Sequence, residues 1–210
     1  MPLIYCGIDE AGYGPLLGPL CVAAATFRVD SWTEGSPAPN LWKELSDAVC
    51  RKPSRSAGGR IAIDDSKKLK LANSSTAHHP LIHLERGVLT FLAAAGEEAI
   101  RSDEGLFRSV GASLPAEPWY VSSALPCPKG LTGAEIGIAA NVLRGALTQS
   151  GISLSSMRCE AIGEGPFNEI VAAAGTKAAA TEAALVRHLW NIWEKHGEFG
   201  AAAGNGVRVV

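Results

Sequence analysis

The chain has 210 residues, 47% hydrophobic and 19% charged, which is enough for one sizeable core and ordinary for a globular protein. Nineteen Lys and Arg against 21 Asp and Glu leave a formal charge of -2, so no overall field draws the chain to nucleic acid, and only a local basic patch could bind phosphate. No basic segment precedes an apolar one at the N-terminus, and no apolar stretch approaches the ~20 residues that cross a bilayer. The five cysteines, at 6, 21, 50, 127 and 159, form no C-x-x-C. They read as small buried hydrophobes of a reducing compartment, so a cytoplasmic location is expected.

Residues 3–8 read as a short buried strand, followed at once by Asp9, Glu10 and a turn rich in Gly and Pro. Residues 20–29, LCVAAATFRV, form a second extended run whose small side chains allow close packing on one face. Leu41, Trp42, Leu45 and Val49 predict a short helix over 40–49, and CRKPSRSAGGR a basic loop over 50–60. Over 80–101 the spacing of Leu81, Leu84, Val88 and Leu92 is helical. Prolines 115, 118, 126 and 128 then break up the chain over 111–130, leaving room for a short strand at 119–122.

Thr132 and Glu135 open a capping box ahead of Ile136, Ala140, Leu143 and Leu147, with Gly151 as the stop. A third strand is expected at 157–162 and a short helix at 166–174, ended by Gly175. Thr176 then caps a long helix through Lys195, with Leu185, Leu189 and Trp193 on its inner face and the tryptophans in the core. VRVV at 207–210 begins another strand. The tight first turn predicts an antiparallel pair, and the later strand–helix–strand passage a parallel crossover. The fold class is therefore α/β with a mixed sheet.

A carboxylate at the end of a buried strand is costly unless something compensates its charge. No Lys or Arg lies within five residues of Asp9, so a bound cation is the nearest compensation that the local sequence offers. Oxygen ligands without Cys or His nearby favour Mg²⁺ or Mn²⁺ over Zn²⁺. Gly12, Gly14 and Gly18 remove side chains where another backbone could approach. In the second cluster, IDDSKKL over 63–69, Asp65 or Ser66 can cap a turn, and Ser66, Lys67 and Lys68 offer a hydroxyl and two ammonium groups to phosphate.

In this order, GIDEAGYGPLLGP followed by DSKKL resembles the opening of the type 2 ribonucleases H, ribonuclease HII and its relatives. In that family a glycine-flanked Asp-Glu pair ends the first strand, a Gly-Arg-Gly turn follows, and a later Asp-Ser-Lys-Lys-Leu segment touches substrate. The resemblance implies an RNase H-like mixed sheet with flanking helices and a Mg²⁺- or Mn²⁺-dependent endonuclease. Such an enzyme hydrolyses the RNA strand of RNA–DNA hybrids, with hybrid or ribonucleotide-containing duplex DNA as its partner, no membrane, and a monomeric state. It assigns Asp9 and Glu10 to the family's first two metal-binding carboxylates. Gly12, Tyr13 and Gly14 fall on the turn that grips the ribonucleotide, and Ser66, Lys67 and Lys68 on phosphate contacts. From residue 157 onward the match is one of pattern alone.

The sequence departs from that family in three respects. Tyr13 stands where the family usually has arginine, giving a neutral hydroxyl and a ring in place of a charged fork. Residues of about 76–150 read as a mainly helical insertion into a single domain spanning 1–210. The family also needs two further carboxylates. Glu160, Glu164 and Glu169 are not at matching places, and the first of the two is due where the sequence stops, at Val210. The expectation is an N-terminal portion of an RNase H-like domain, incomplete at its C-terminus and inactive as it stands. The alternative is a non-catalytic nucleic-acid-binding protein that keeps the fold; Tyr13 and the insertion favour it, and the intact Asp9–Glu10 pair argues against it.

Overall fold

The structure is a computed structural model that describes residues 2–11, 18–53, 59–115, 117–120, 125–201 and 205–210. In chain order its elements are β1 (Leu3–Ala11), β2 (Leu20–Val29), α1 (Leu41–Glu44), β3 (Val49–Cys50), β4 (Ile61–Ala62), α2 (Ser66–Leu69), α3 (Ile82–Ala94), α4 (Asp103–Ser109), α5 (Gly133–Gln149), β5 (Ile152–Ile162), α6 (Glu164–Ala174), α7 (Ala178–Ala201) and β6 (Gly206–Val209). The chain divides into two compact units. The first holds Met1–Ser36, Phe107–Ala124 and Leu154–Val210, and the second holds Pro37–Leu106 and Leu125–Ser153. The span of about 76–150 expected as an insertion thus contributes to both, and the second unit begins at Pro37.

In the first unit the sheet order is β5-β2-β1-β6. β1 and β2 are antiparallel, from Leu3↔Val29 to Ala11↔Cys21. β6 is parallel to β1, from Leu3↔Gly206 to Cys6↔Val209. Two more bonds extend that ladder: Val210 N–H donates to Cys6 O, and Ile8 N–H to Val210 O, each at 2.9 Å. The sheet is therefore mixed, as the order of elements predicts. β1 runs three residues past the expected end, because Asp9, Glu10 and Ala11 keep their partners Ala23, Val22 and Cys21.

Strand alternation sorts β2 into two faces. Leu20 and Val22 are buried with Ile162, Phe167, Ala180 and Ala184, against Ile8 of β1. Ala24 is buried with Cys6 and Ile192. The inner face of α7 is thus Ala180, Ala184, His188 and Ile192, not Leu185, Leu189 and Trp193. Leu189, Trp190 and Trp193 are 41%, 62% and 68% exposed, which corrects the expectation that the tryptophans are core. Small residues win the inner face because a helix can press against a sheet only where side chains are short, and packing density then rewards the close approach. His188, 2% exposed, meets the cost of burial by donating from Nε2 to the Val22 carbonyl at 3.0 Å.

In the second unit the helix expected over 40–49 is a single turn, α1, capped by Asn40. The chain then enters β3, which pairs in parallel with β4. Trp42 donates from Nε1 to Ile63 O at 2.8 Å, and the Arg51 guanidinium lies 4.1 Å from its ring centroid. α3 stops at Ala94, and Ala95 caps it. α5 begins with the predicted capping box: Glu135 N–H donates to Thr132 Oγ1 at 3.3 Å, and Thr132 N–H to Glu135 Oε2 at 2.8 Å. In the first unit, Trp119 and Tyr120 lie in a 3-10 helix, Pro118–Tyr120, rather than in the short strand anticipated there. Residues 121–122 of that expectation lie outside the described residues. No helix among the described residues is long and apolar enough to cross a membrane.

Thr132→Ala removes one of the two reciprocal cap bonds and is expected to cost about 1 kcal/mol. The urea midpoint followed by far-ultraviolet circular dichroism measures it. An unchanged midpoint would mean that the cap does not limit stability.

Candidate active site

Asp9 and Glu10 project from the last rungs of β1, and both are exposed. β1 is still a regular strand here, so successive side chains leave on opposite faces. Asp9 stands on the face of its partner Ala23, and Glu10 on the face of Val22, which α7 covers further along. The carboxylates are adjacent in the chain but do not converge side by side. Asp9 Oδ1 accepts from Glu10 N–H at 2.9 Å. That N–H lies on the same edge of β1 as the Ile8 N–H, where the last β6 bond is the one to Val210 O, so the Asp9 carboxylate takes the place of a ladder partner.

The far end of the glycine turn is held by a residue that sequence reasoning set aside. Gly18 has φ 131°, a conformation that side-chain-bearing residues rarely adopt, and its N–H donates to Glu164 Oε1 at the start of α6. The Tyr120 hydroxyl donates to the same oxygen at 3.1 Å. The Gly18 N–H first, and then Glu164's own N–H and the Tyr120 hydroxyl, hold the Glu164 carboxyl below the ordinary glutamate range. Glu117 adds a parallel contact, accepting at Oε1 from Gly165 N–H at 3.1 Å, where a carboxylate meets the positive end of the helix. Gly12, Tyr13 and Gly14 lie outside the described residues.

Ser66, Lys67 and Lys68 form α2, all three exposed, with Leu69 alone buried. Asp65 is the cap, accepting from Lys67 N–H at 2.8 Å. Asp64 sits behind them, 3.0 Å from Lys68 Nζ. The Asp65 N–H, and then Lys68, hold Asp64 below its ordinary range. Lys67 thus presents an ammonium group to solvent, while Lys68 shares its own with a carboxylate. Asp9 and Glu10 belong to the first unit, and Ser66, Lys67 and Lys68 to the second.

The donors on β1 are hard oxygens, the type that Mg²⁺ and Mn²⁺ prefer. Among the described residues no group of three or more His, Cys, Asp or Glu side chains gathers to hold a metal ion. Two carboxylates fit the mode in which Mg²⁺ takes one or two protein ligands and completes its shell with water and substrate phosphate oxygens. Asp9 Oδ2 and the Glu10 carboxylate are the atoms available for it.

Because its folded pKa is lowered, Glu164 should hold Gly18 fully above the ordinary glutamate value of about 4.3 and release it as pH falls through the lower folded value. A pH titration of the Gly18 amide by ¹⁵N–¹H correlation spectroscopy is expected to show a midpoint below that value and no inflection in Glu164→Gln. A midpoint at or above it would remove the tether. In comparisons with known proteins, no family model, curated protein or solved structure matches the chain.

Proposed function

We propose that the chain carries the Asp9–Glu10 end of a divalent-metal-dependent endonuclease site of the ribonuclease H type, directed at the RNA strand of RNA–DNA hybrids. The observation that carries this reading is the sheet order β5-β2-β1-β6, with β1 antiparallel to β2 and parallel to β6. It supports an RNase H-like arrangement in which the two carboxylates leave the end of a central strand beside the end of its parallel neighbour. Asp9 and Glu10 would hold Mg²⁺ or Mn²⁺, which when bound lowers the pKa of an attacking water and neutralises a leaving 3′-oxygen.

The remaining roles fall to the chain's own groups. The glycine turn, fixed at Gly18 by Glu164, would bring backbone N–H groups to the sugar-phosphate chain, and the 2′-hydroxyl beside the cut would distinguish RNA from DNA. Lys67 and Lys68, in the second unit, would bind nucleic-acid phosphates without reading sequence.

In a form of the protein that cleaves a labelled hybrid with Mg²⁺, Asp9→Asn should abolish that cleavage without altering the circular dichroism spectrum. Undiminished cleavage in that variant would end the assignment. Replacing both Lys67 and Lys68 by Ala should weaken hybrid binding, measured by fluorescence anisotropy, and reduce the slope of log affinity against log salt by about 1.5. An unchanged slope would place the phosphate contacts elsewhere.

The divergence of Asp9 and Glu10 onto opposite faces favours a second reading, a hybrid-binding protein without catalysis. Tight, salt-sensitive binding of the hybrid that neither Mg²⁺ nor Mn²⁺ changes would select it.

A further inference from the structure

The outer face of α7, opposite the buried Ala180, Ala184, His188 and Ile192, carries an apolar stripe. Val186, Leu189, Trp190 and Trp193 recur at steps of three and four residues, which places them along one side of the helix. They are 63%, 41%, 62% and 68% exposed, although a surface helix ordinarily turns charged and polar residues outward. The Trp193 indole lies over Gly197, where a Cβ would come within 3.2 Å of the ring. That ring is seated before anything docks on it, so little side-chain freedom remains to be lost on binding. The two tryptophans alone leave roughly 200–300 Å² in water, a sizeable share of the ~800 Å² that each partner contributes to a standard interface.

The charges beside the stripe select what covers it. Arg187 and Glu194, both exposed, stand two helical turns apart on the same edge of the stripe. In an antiparallel pair of identical helices related by a two-fold axis, each edge meets the same edge of the other copy, running in reverse. With the axis passing between residues 190 and 191, Arg187 of each copy faces Glu194 of the other, and the ion pair is made twice. The same register seats each Trp193 between Val186 and Trp190 of the second copy. A parallel pair would bring unlike edges together and separate the two charges. Arg187 Nε already donates to Glu160 Oε2 at 3.2 Å, and a guanidinium has donors on its terminal nitrogens for a second carboxylate. A membrane surface fits less well. α7 carries Glu182, Glu194 and Glu198 against Arg187 and Lys195, where anionic lipid calls for a basic polar face.

We propose that the outer face of α7 is a homodimer interface, in which α7 of one copy packs antiparallel on α7 of a second copy about a two-fold axis near Trp190. The interface lies wholly within the first unit. Burial of the stripe supplies the driving force, and the paired charges fix direction and register. The modest apolar area sets a dissociation constant on the order of micromolar. This dimer stands independently of the nuclease reading, and it replaces the monomeric state that the family resemblance implies.

Sedimentation velocity of the full chain over a concentration series tests the proposal. The expected result is a shift from monomer to dimer without larger species, accompanied by a blue shift of indole emission as Trp190 and Trp193 leave water. Trp193→Ala should weaken the dimer by at least roughly tenfold. Arg187→Glu and Glu194→Arg should each weaken it about tenfold, because each sets like charges against one another twice. Mixed in equal amounts, those two variants should recover wild-type association, since one then carries Glu at both positions and the other Arg at both. A wild-type chain that stays monomeric at its highest soluble concentration would overturn the proposal and leave the face to a different protein. A dimer indifferent to Trp193→Ala, or a mixture that associates no better than its components, would overturn it as well. Should a variant not fold, the wild-type series still decides, because a dimer that forms without the emission shift does not use α7.

Discussion

The closeness with which α7 can lie against β1 and β2 governs the first unit. Ala180 and Ala184 are fully buried beneath Leu20 and Val22, and a larger side chain at either position would lift the helix off the sheet. One polar contact fixes how far the helix slides along the strands. His188 is buried, and its Nε2 must carry the proton because the Val22 carbonyl can only accept. Moving the helix by a turn would bury an unsatisfied imidazole, a cost of a few kcal/mol. The pairing of one ring nitrogen with one carbonyl therefore sets the register between helix and sheet.

The same antiparallel pairing shapes the candidate chemistry. A strand that stays regular to Ala11 separates Asp9 from Glu10 across its two faces. A shared ion would have to sit at the strand edge, where the Asp9 carboxylate already occupies Glu10 N–H. The turn that follows is anchored at its far end by Glu164, so the two ends of the glycine segment are held by different elements, β1 and α6. Lys67 and Lys68 lie in the other unit, in a helical turn capped by Asp65, and Lys68 is partly neutralised by Asp64.

Local interactions were legible in the sequence and long-range ones were not. The Thr132–Glu135 box and the Gly175 stop, at φ 72°, are decided by a few neighbouring residues and were read in place, and Asp65 was one of the two caps that the sequence offered for α2. β2 was read to its ends because residues 20–29 form one continuous run of small and apolar side chains. β3 and β4 have two residues each, too few for any periodicity to register, so Val49 was assigned to a helix. On α7 the large apolar residues suggested the inner face, whereas close packing selected the alanines. Asp9 and Glu10 stood out as a pair, but the end of β1 was set by their partners on β2 rather than by their polarity. Glu164 was invisible as a site residue because its partner, Gly18, is 146 positions away.

The outward tryptophans of α7 determine what light reports about this protein. Trp119, Trp190 and Trp193 are each at least 60% exposed, and Trp42 is 36% exposed beneath a guanidinium. Indole emission from such positions is already close to that of indole in water while the chain is folded. At these four rings denaturation therefore has little spectral shift left to produce, and soluble quenchers such as acrylamide reach them in the native state, so a shift on unfolding would come mainly from the half-buried Trp32. Emission from Trp190 and Trp193 is better suited to sensing what settles on α7 than to following the loss of the core beneath it.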